Sequence, residues 1–306
     1  MKISVIGAGN VGSLTAMRIA HDGLGEIILL DVVTGLARGK ALDMDDARAI
    51  IKQNYNIQGT QEISDIAGSD IVVITAGLPR KPGMTREELL SKNSGILKGI
   101  CQKVKELSPQ AIVIVVTNPL DLMTFFALKV LGFNSSKVLG MGPSLDAARF
   151  ANAISGISGV AAEDIEAVVI GSHGEGMLPL PRLTTIKGIS LLEFLDDKKT
   201  ALAVKNTILR GQEIVSLLGS GSAFFAPSAA IAYLVKAIAR DEKRIVGACA
   251  YLNGEYGLKD ICIGVPCRLG KNGIEKIIEL DLDQEEKAAF YKSAQNIHNL
   301  CQQLTQ

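Results

Sequence analysis

Short, nearly unbroken aliphatic runs alternate with longer stretches of helical spacing through the first half of the chain. Lys2–Ile6, Glu26–Leu30, residues 71–75 and residues 111–117 are almost wholly apolar, as parallel strands covered on both faces must be. Between them, Asn10–His21 and residues 35–50 and 85–107 repeat apolar positions at three and four and predict helices. Pro109 and Pro119 bracket the fourth strand; a helical segment, Leu120–Leu131, and a short fifth strand at 137–140 follow. This alternation predicts right-handed crossovers and an α/β, doubly wound parallel sheet.

The second half changes rhythm. A helix at 144–154 precedes strands at 164–171 and 183–186, which flank a glycine-rich turn. Helices at 198–218 and 228–239 lead into strands at 244–252, 261–269 and 274–280. Asn253-Gly254 and Asn272-Gly273 are turn signals between those strands, and Gln284–Leu304 predicts a closing helix. Strands so closely spaced predict antiparallel pairing, hence an α+β second domain. The junction falls near Gly142-Pro143 without a flexible linker, giving domains 1–142 and 143–306.

Composition narrows the function classes. Of 306 residues, 47% are hydrophobic but only 4% aromatic, with no Trp, so the core must be aliphatic. Lys plus Arg balances Asp plus Glu at 32 each, which argues against nucleic acid or an anionic membrane as partner. The run 111–116 falls far short of the roughly 18 residues that span a bilayer. Five cysteines, odd in number and without C-x-x-C spacing, are expected to be reduced. With a first strand starting at residue 2 or 3, no leader segment is expected, and the location expected is cytoplasmic. Histidines 21, 173 and 298 lack metal-ligand spacing, so no metal is expected.

Gly7-Ala8-Gly9-Asn10-Val11-Gly12 joins the first strand to the first helix as G-x-G-x-x-G. Gly7 suits a tight turn, Gly9 a close approach to a pyrophosphate, and Gly12 close helix–strand packing. Amides at the start of the helix, around Asn10 and Val11, then face phosphate oxygens at the positive end of the helix dipole. Asp31 ends the second strand, 19 positions after Gly12. Its carboxylate suits a ribose 2′-hydroxyl and repels a 2′-phosphate, which favours NAD over NADP; the alternative is that it merely caps a loop. Together these features predict a Rossmann-type NAD-binding first domain.

Gly171-Ser172-His173-Gly174 ends a predicted strand and exposes an imidazole suited to proton transfer near neutral pH. A structural histidine is the plainer alternative. Asp146 and Arg149 lie three apart on one helix face. They form either a surface ion pair or, divided, a support for the imidazole and a two-pronged carboxylate clamp. The loop 77–86, with Arg80, Lys81 and Arg86 among two prolines and two glycines, lies at a strand's ligand end and is either a lid or a solvated turn. Thr117-Asn118-Pro119 ends the next strand on the same side.

These segments, with Leu120-Asp121 and Leu145-Asp146-Ala147-Ala148-Arg149-Phe150, resemble the lactate/malate dehydrogenase family in order and spacing over essentially the whole chain. The resemblance implies that His173 gives and takes the proton, with Asp146 as its partner. It implies that Arg149 anchors the carboxylate beside the reacting carbon, that Arg86 polarises the carbonyl, and that Asn118 binds substrate and cofactor. Thr75, Gly77, Asn93 and Thr117 are implied in the cofactor's surroundings as well. Arg80 stands where lactate-specific members typically carry an uncharged residue. It implies a dicarboxylate substrate, (S)-malate or oxaloacetate, because a second carboxylate in a closed site needs a fixed cation. The rivals are a lactate or other 2-hydroxyacid dehydrogenase and a catalytically inactive NAD-binding regulator. Relatives are dimers or tetramers, so a homodimer or homotetramer is implied. Met141-Gly142-Pro143-Ser144 and Glu175-Gly176 depart from the usual pattern beside Asp146 and His173.

Overall fold

The computed structural model describes residues 1–78 and 86–304. Its first half runs β1 (Lys2–Ile6), α1 (Asn10–His21), β2 (Glu26–Leu30), α2 (Leu36–Ile51), β3 (Asn56–Thr60), β4 (Ile71–Ile74), α3 (Arg86–Leu107), β5 (Ile112–Val115), α4 (Leu120–Leu131) and β6 (Val138–Gly140). The second half runs α5 (Gly142–Ser158), β7 (Ile165–Glu166), β8 (Val169–Gly171), β9 (Met177–Pro179), β10 (Thr185–Ile186), β11 (Ile189–Ser190), α6 (Asp197–Leu218), α7 (Phe225–Ala239), β12 (Arg244–Asn253), β13 (Lys259–Gly270), β14 (Gly273–Ile277) and α8 (Gln284–Leu304).

Strands β3-β2-β1-β4-β5-β6 form a parallel sheet, as the aliphatic runs require. Every residue of β4 and β5 is buried, because helices cover both faces. The chain winds outward from β1 in both directions, so the topological switch lies between β1 and β4, where such sheets bind ligands. Register aligns Ile6 with Leu30 and Ile74, and Ile74 with Val115. Gly7, Asp31, Thr75 and the Thr117 segment therefore emerge along one edge. The sheet then continues antiparallel through β12, β13, β8 and β9, joined to β6 by the single pair Cys249 and Gly140.

Several expected strands differ. The stretch 164–171 is not one strand. Asp164 closes a 3-10 turn, β7 pairs with β10 in a separate three-stranded sheet, and β8 crosses to β13. Apolar content hides this switch, since Ile165 of β7 and all of β8 are buried, but in different neighbourhoods. Pro181–Leu183 is a 3-10 turn, so strand structure in 183–186 is confined to β10; the unforeseen β9 ends in a proline. β3 escaped the pattern because only Ile57 of its five residues is buried. The last strand stops at Ile277 rather than 280.

Helix α5 begins at Gly142, two residues earlier than its apolar spacing indicates. Pro143 occupies its first turn, where a missing amide hydrogen costs nothing. A second apolar core, with Phe150 and Ile154 fully buried, packs α5 against β7–β10 and α6. That core fixes the helix carrying Asp146 and Arg149. Among the described residues no helix is long and apolar enough to cross a membrane, and all five cysteines are buried and outside any disulfide.

Candidate active site

The turn after β1 is built around missing side chains. Gly7 has φ +106°, and a Cβ there would lie 2.7 Å from both the Ala76 nitrogen and Thr75 Oγ1. A Cβ on Gly12 would stand 1.8 Å from the Gly7 carbonyl oxygen, so α1 touches the turn itself. Thr75 Oγ1 donates to the Gly7 and Ile6 carbonyls at 3.0 and 3.2 Å and locks the turn to β4. Gly9 precedes α1, and nothing lies within 4 Å of where its Cβ would stand. The first amides of α1, at Asn10 and Val11, have no acceptor within their own helix and face this open cradle.

Charged groups hold the turn from both sides. Asp31 Oδ2 accepts from the Ala8 amide at 2.6 Å and Oδ1 from the Val33 amide at 2.9 Å. Its loop-capping alternative is thus part of its chemistry, yet each carboxylate oxygen keeps a lone pair for a ribose hydroxyl. Lys40 Nζ donates to the Ala8 carbonyl at 2.7 Å and to Ser13 Oγ at 3.2 Å. A glycine cradle, helix amides and a carboxylate at the strand end fit NAD, which would contribute a nicotinamide able to accept or return hydride.

Along the same edge, Asn93 and Thr117 spend their polar atoms on the main chain. Asn93, 1% exposed, accepts from the Leu78 amide at 2.8 Å and donates to the Leu78 and Asn118 carbonyls at 3.3 and 2.9 Å. Thr117 Oγ1 donates to the Ala76 carbonyl at 2.6 Å. A Cβ on Gly77 would meet the Thr117 methyl at 2.6 Å, so the strand ends pack tightly here. Asn118 itself is exposed at the end of β5.

His173 follows β8 and reaches the end of α5. Its Nδ1 lies 2.8 Å from Asp146 Oδ2, with the Asp146 side chain only 2% exposed. Burial alone pushes the imidazole toward neutrality. The charge and hydrogen bond of Asp146, seconded by Asp121, outweigh it, and the His173 pKa is raised above its ordinary value. A neutral ring holding its proton on Nδ1 toward Asp146 leaves Nε2 free to take another. The Asp146–Arg149 pair does not lie on the surface, for the two side chains are 2% and 11% exposed.

Arg149 sits beside the same carboxylate, NH1 3.4 Å from Asp146 Oδ1, a long contact rather than a tight pair. Its side chain is 11% exposed, and Nε is buried without a hydrogen-bond partner among the described residues. Burial, partly offset by Asp146, lowers its hold on the proton, though a guanidinium stays charged at any physiological pH. The guanidinium lies against Gly211 of α6, where a Cβ would stand 3.4 Å from NH1. A buried cation with an unused donor is equipped to receive a carboxylate. Arg80 lies outside the described residues, as does the side chain of Arg86.

Three contributors went unassigned in the sequence. Asp121 Oδ2 accepts from the His173 amide at 2.8 Å; its helix position was quoted, but nothing in one sequence indicates which main chain it meets. Ser293 of α8 accepts from the Ser172 amide at 2.9 Å and donates to the Gly176 carbonyl at 2.8 Å. A buried serine on an otherwise apolar helix face was its available signal. Gly142 gives His173 room, since a Cβ there would stand 2.9 Å from the histidine Cβ. Among the described residues no group of three or more His, Cys, Asp or Glu gathers to hold a metal.

An imidazole backed by a buried carboxylate, at the ligand edge of a dinucleotide cradle, is the layout of a hydride-transferring oxidoreductase. Comparisons with known proteins make this specific. Residues 1–140 match the NAD binding domain of lactate/malate dehydrogenases and residues 143–306 their alpha/beta C-terminal domain. The chain belongs to the lactate/malate dehydrogenase family. It is 47% identical over 303 residues to a malate dehydrogenase of Methanosarcina barkeri, covering 99% of both chains. It is 48% identical to one from Roseiflexus, covering 97% of this chain and 96% of that one. The solved malate dehydrogenase of Salinibacter ruber superposes with a TM-score of 0.95 at 42% identity, covering 100% of this chain and 98% of that one. A Cryptosporidium parvum lactate dehydrogenase, solved with lactic acid and NAD, superposes with a TM-score of 0.95 at 37% identity, covering 99% and 98%.

Proposed function

We propose that the chain catalyses reversible hydride transfer between (S)-malate and NAD⁺, giving oxaloacetate, NADH and a proton. The observation that carries this reading is the His173–Asp146 pair at 2.8 Å with the buried, under-used guanidinium of Arg149 beside it. In oxidation, neutral His173 takes the malate hydroxyl proton on Nε2, and NAD⁺ held at the glycine cradle would accept the C2 hydrogen as hydride. In reduction, the protonated ring returns that proton to the carbonyl oxygen as hydride arrives. Asp146 orients the ring and favours its charged form. Arg149 holds the C1 carboxylate through two parallel hydrogen bonds, Arg86 stabilises charge developing on the reacting oxygen, and Asn118 binds substrate and cofactor. Gly7, Gly9, Asn10, Val11, Gly12 and Asp31 receive the dinucleotide. Thr75, Gly77, Asn93 and Thr117 shape its floor; the hydroxyls of Thr75 and Thr117 and the Asn93 amide already serve the main chain.

Arg80 is the proposed partner of the distal carboxylate and separates this reading from lactate dehydrogenation, which the likeness to a lactate-bound enzyme keeps in view. Oxaloacetate should exceed pyruvate in kcat/KM by well over tenfold. Arg80→Gln should shrink that ratio by about 10²-fold, the scale of one unpaired buried charge. A native preference for pyruvate would end the malate assignment.

We also propose the division into domains 1–142 and 143–306, and a homodimeric or homotetrameric state. Exposed aliphatic residues such as Leu42, Ile50 and Leu217 support self-association. A cytoplasmic place in the tricarboxylic acid cycle follows from the proposed reaction and the five reduced cysteines.

A further inference from the structure

His173 is held at two points. Asp146 of α5 grips the ring, and Asp121, in the first turn of α4, accepts the His173 main-chain N–H at 2.8 Å. Asp121 is 5% exposed, and the Cys249 thiol is the other hydrogen-bonding neighbour of its carboxylate. A carboxylate serving only as an amide acceptor would be a costly choice, because an amide or hydroxyl makes that bond without burying a charge. We propose that Asp121 is a second positioning residue of the site, fixing the His173 backbone while its negative charge strengthens the imidazole's hold on the transferred proton. The proposal rests on His173 being the proton carrier.

The surroundings favour a charge that acts on the imidazole rather than on a salt-bridge partner. Facing Asp121 are the His173 ring from the loop after β8, Asp146 from α5 and the Cys249 thiol from β12. Cys262 of β13 lies beside Cys249, and Cys301 of α8 lies further off. Burial pushes the Asp121 carboxyl up to about 6, with His173 and the Cys249 thiol pulling the other way. The proposal requires that carboxyl to be ionised at neutral pH, where the reaction uses both forms of His173. Asp121 also joins the two halves of the site: it lies three residues beyond Asn118, at the nucleotide edge, and holds the histidine of the second half.

Asp121→Asn tests this, since the side-chain amide oxygen still accepts the His173 N–H but carries no charge. The log kcat/KM profiles for oxaloacetate reduction and malate oxidation are recorded against pH, alongside NADH affinity. A lower imidazole pKa should move the alkaline limb of reduction and the acid limb of oxidation down together, by about one pH unit. At any one pH the two directions lose rate together, as the overall equilibrium requires, so the displaced limbs are the diagnostic reading. Lost rate with unmoved limbs would mean packing alone and overturn the proposal. Should the variant fail to fold, ¹³C-aspartate spectra of the wild-type protein decide. One carboxyl titrating near 6 with a further step as His173 titrates supports the proposal; a carboxyl protonated through neutral pH refutes it. His173→Asn in the same assay keeps the premise separate: retained turnover there removes the proton carrier itself, whereas lost turnover with unmoved Asp121→Asn limbs removes only Asp121.

Discussion

His173→Asn is expected to lower kcat/KM for oxaloacetate by about 10²- to 10⁴-fold, the usual worth of a positioned general acid, while NADH still binds. The fingerprint turn that would receive the nucleotide is held by Thr75, Asp31 and Lys40 rather than through the imidazole. The pH dependence gives a second signature. The His173 pKa stands above the ordinary 6.5 because Asp146 and Asp121 outweigh burial. Reduction needs the protonated ring, so its rate should fall as pH rises through that raised value. Malate oxidation needs the neutral ring and should rise across the same window. The variant should lose both limbs along with its rate. Stopped-flow absorbance at 340 nm with NADH fluorescence titration reads all of this. A variant that turns over normally, or keeps the wild-type limbs, would take the proton step away from His173.

Much of this site was legible because its parts are local. The glycine turn, its strand and Asp31 occupy one stretch of about thirty residues, and their spacing is set by a single β-α-β unit. Aliphatic runs gave the parallel sheet for the same reason, since burial on both faces leaves no polar alternation to interpret. What stayed hidden depends on distant pairs. Asp121 meets His173 across 52 positions, and Ser293 meets Ser172 across 121. A single chain carries no mark of such partnerships. Residues 164–171 misled for a related reason: an apolar stretch shows that it is buried, not which of two sheets buries it. Asn93 and Thr117 lie at the strand-end edge, where their side chains bind the main chain. Proximity to a motif therefore identified the neighbourhood, while the work each atom does needed coordinates.

The same distinction governs Arg149, which looked like half of an i,i+3 surface pair. Exposed, such a pair contributes a few tenths of a kcal/mol and its loss would go unnoticed. Here the guanidinium is buried, lies on the bare backbone at Gly211, touches Asp146 only at 3.4 Å and leaves Nε without a partner among the described residues. A guanidinium stabilised mainly by Asp146 would sit closer to it. Arg149→Ala should therefore cost little in the empty protein beyond lost packing, but leave an incoming carboxylate unpaired in a site that excludes water. Stranding one partner of a buried pair costs about 3–5 kcal/mol, so kcat/KM for oxaloacetate should fall about 10²- to 10⁴-fold. Free guanidinium should restore part of that loss by entering the space beside Gly211. Arg149→Lys should recover less than its charge suggests, because a point charge cannot make two parallel bonds to a carboxylate. Steady-state kinetics with and without added guanidinium measures each outcome. Arg149→Ala within tenfold of wild type would show that the substrate carboxylate is held elsewhere.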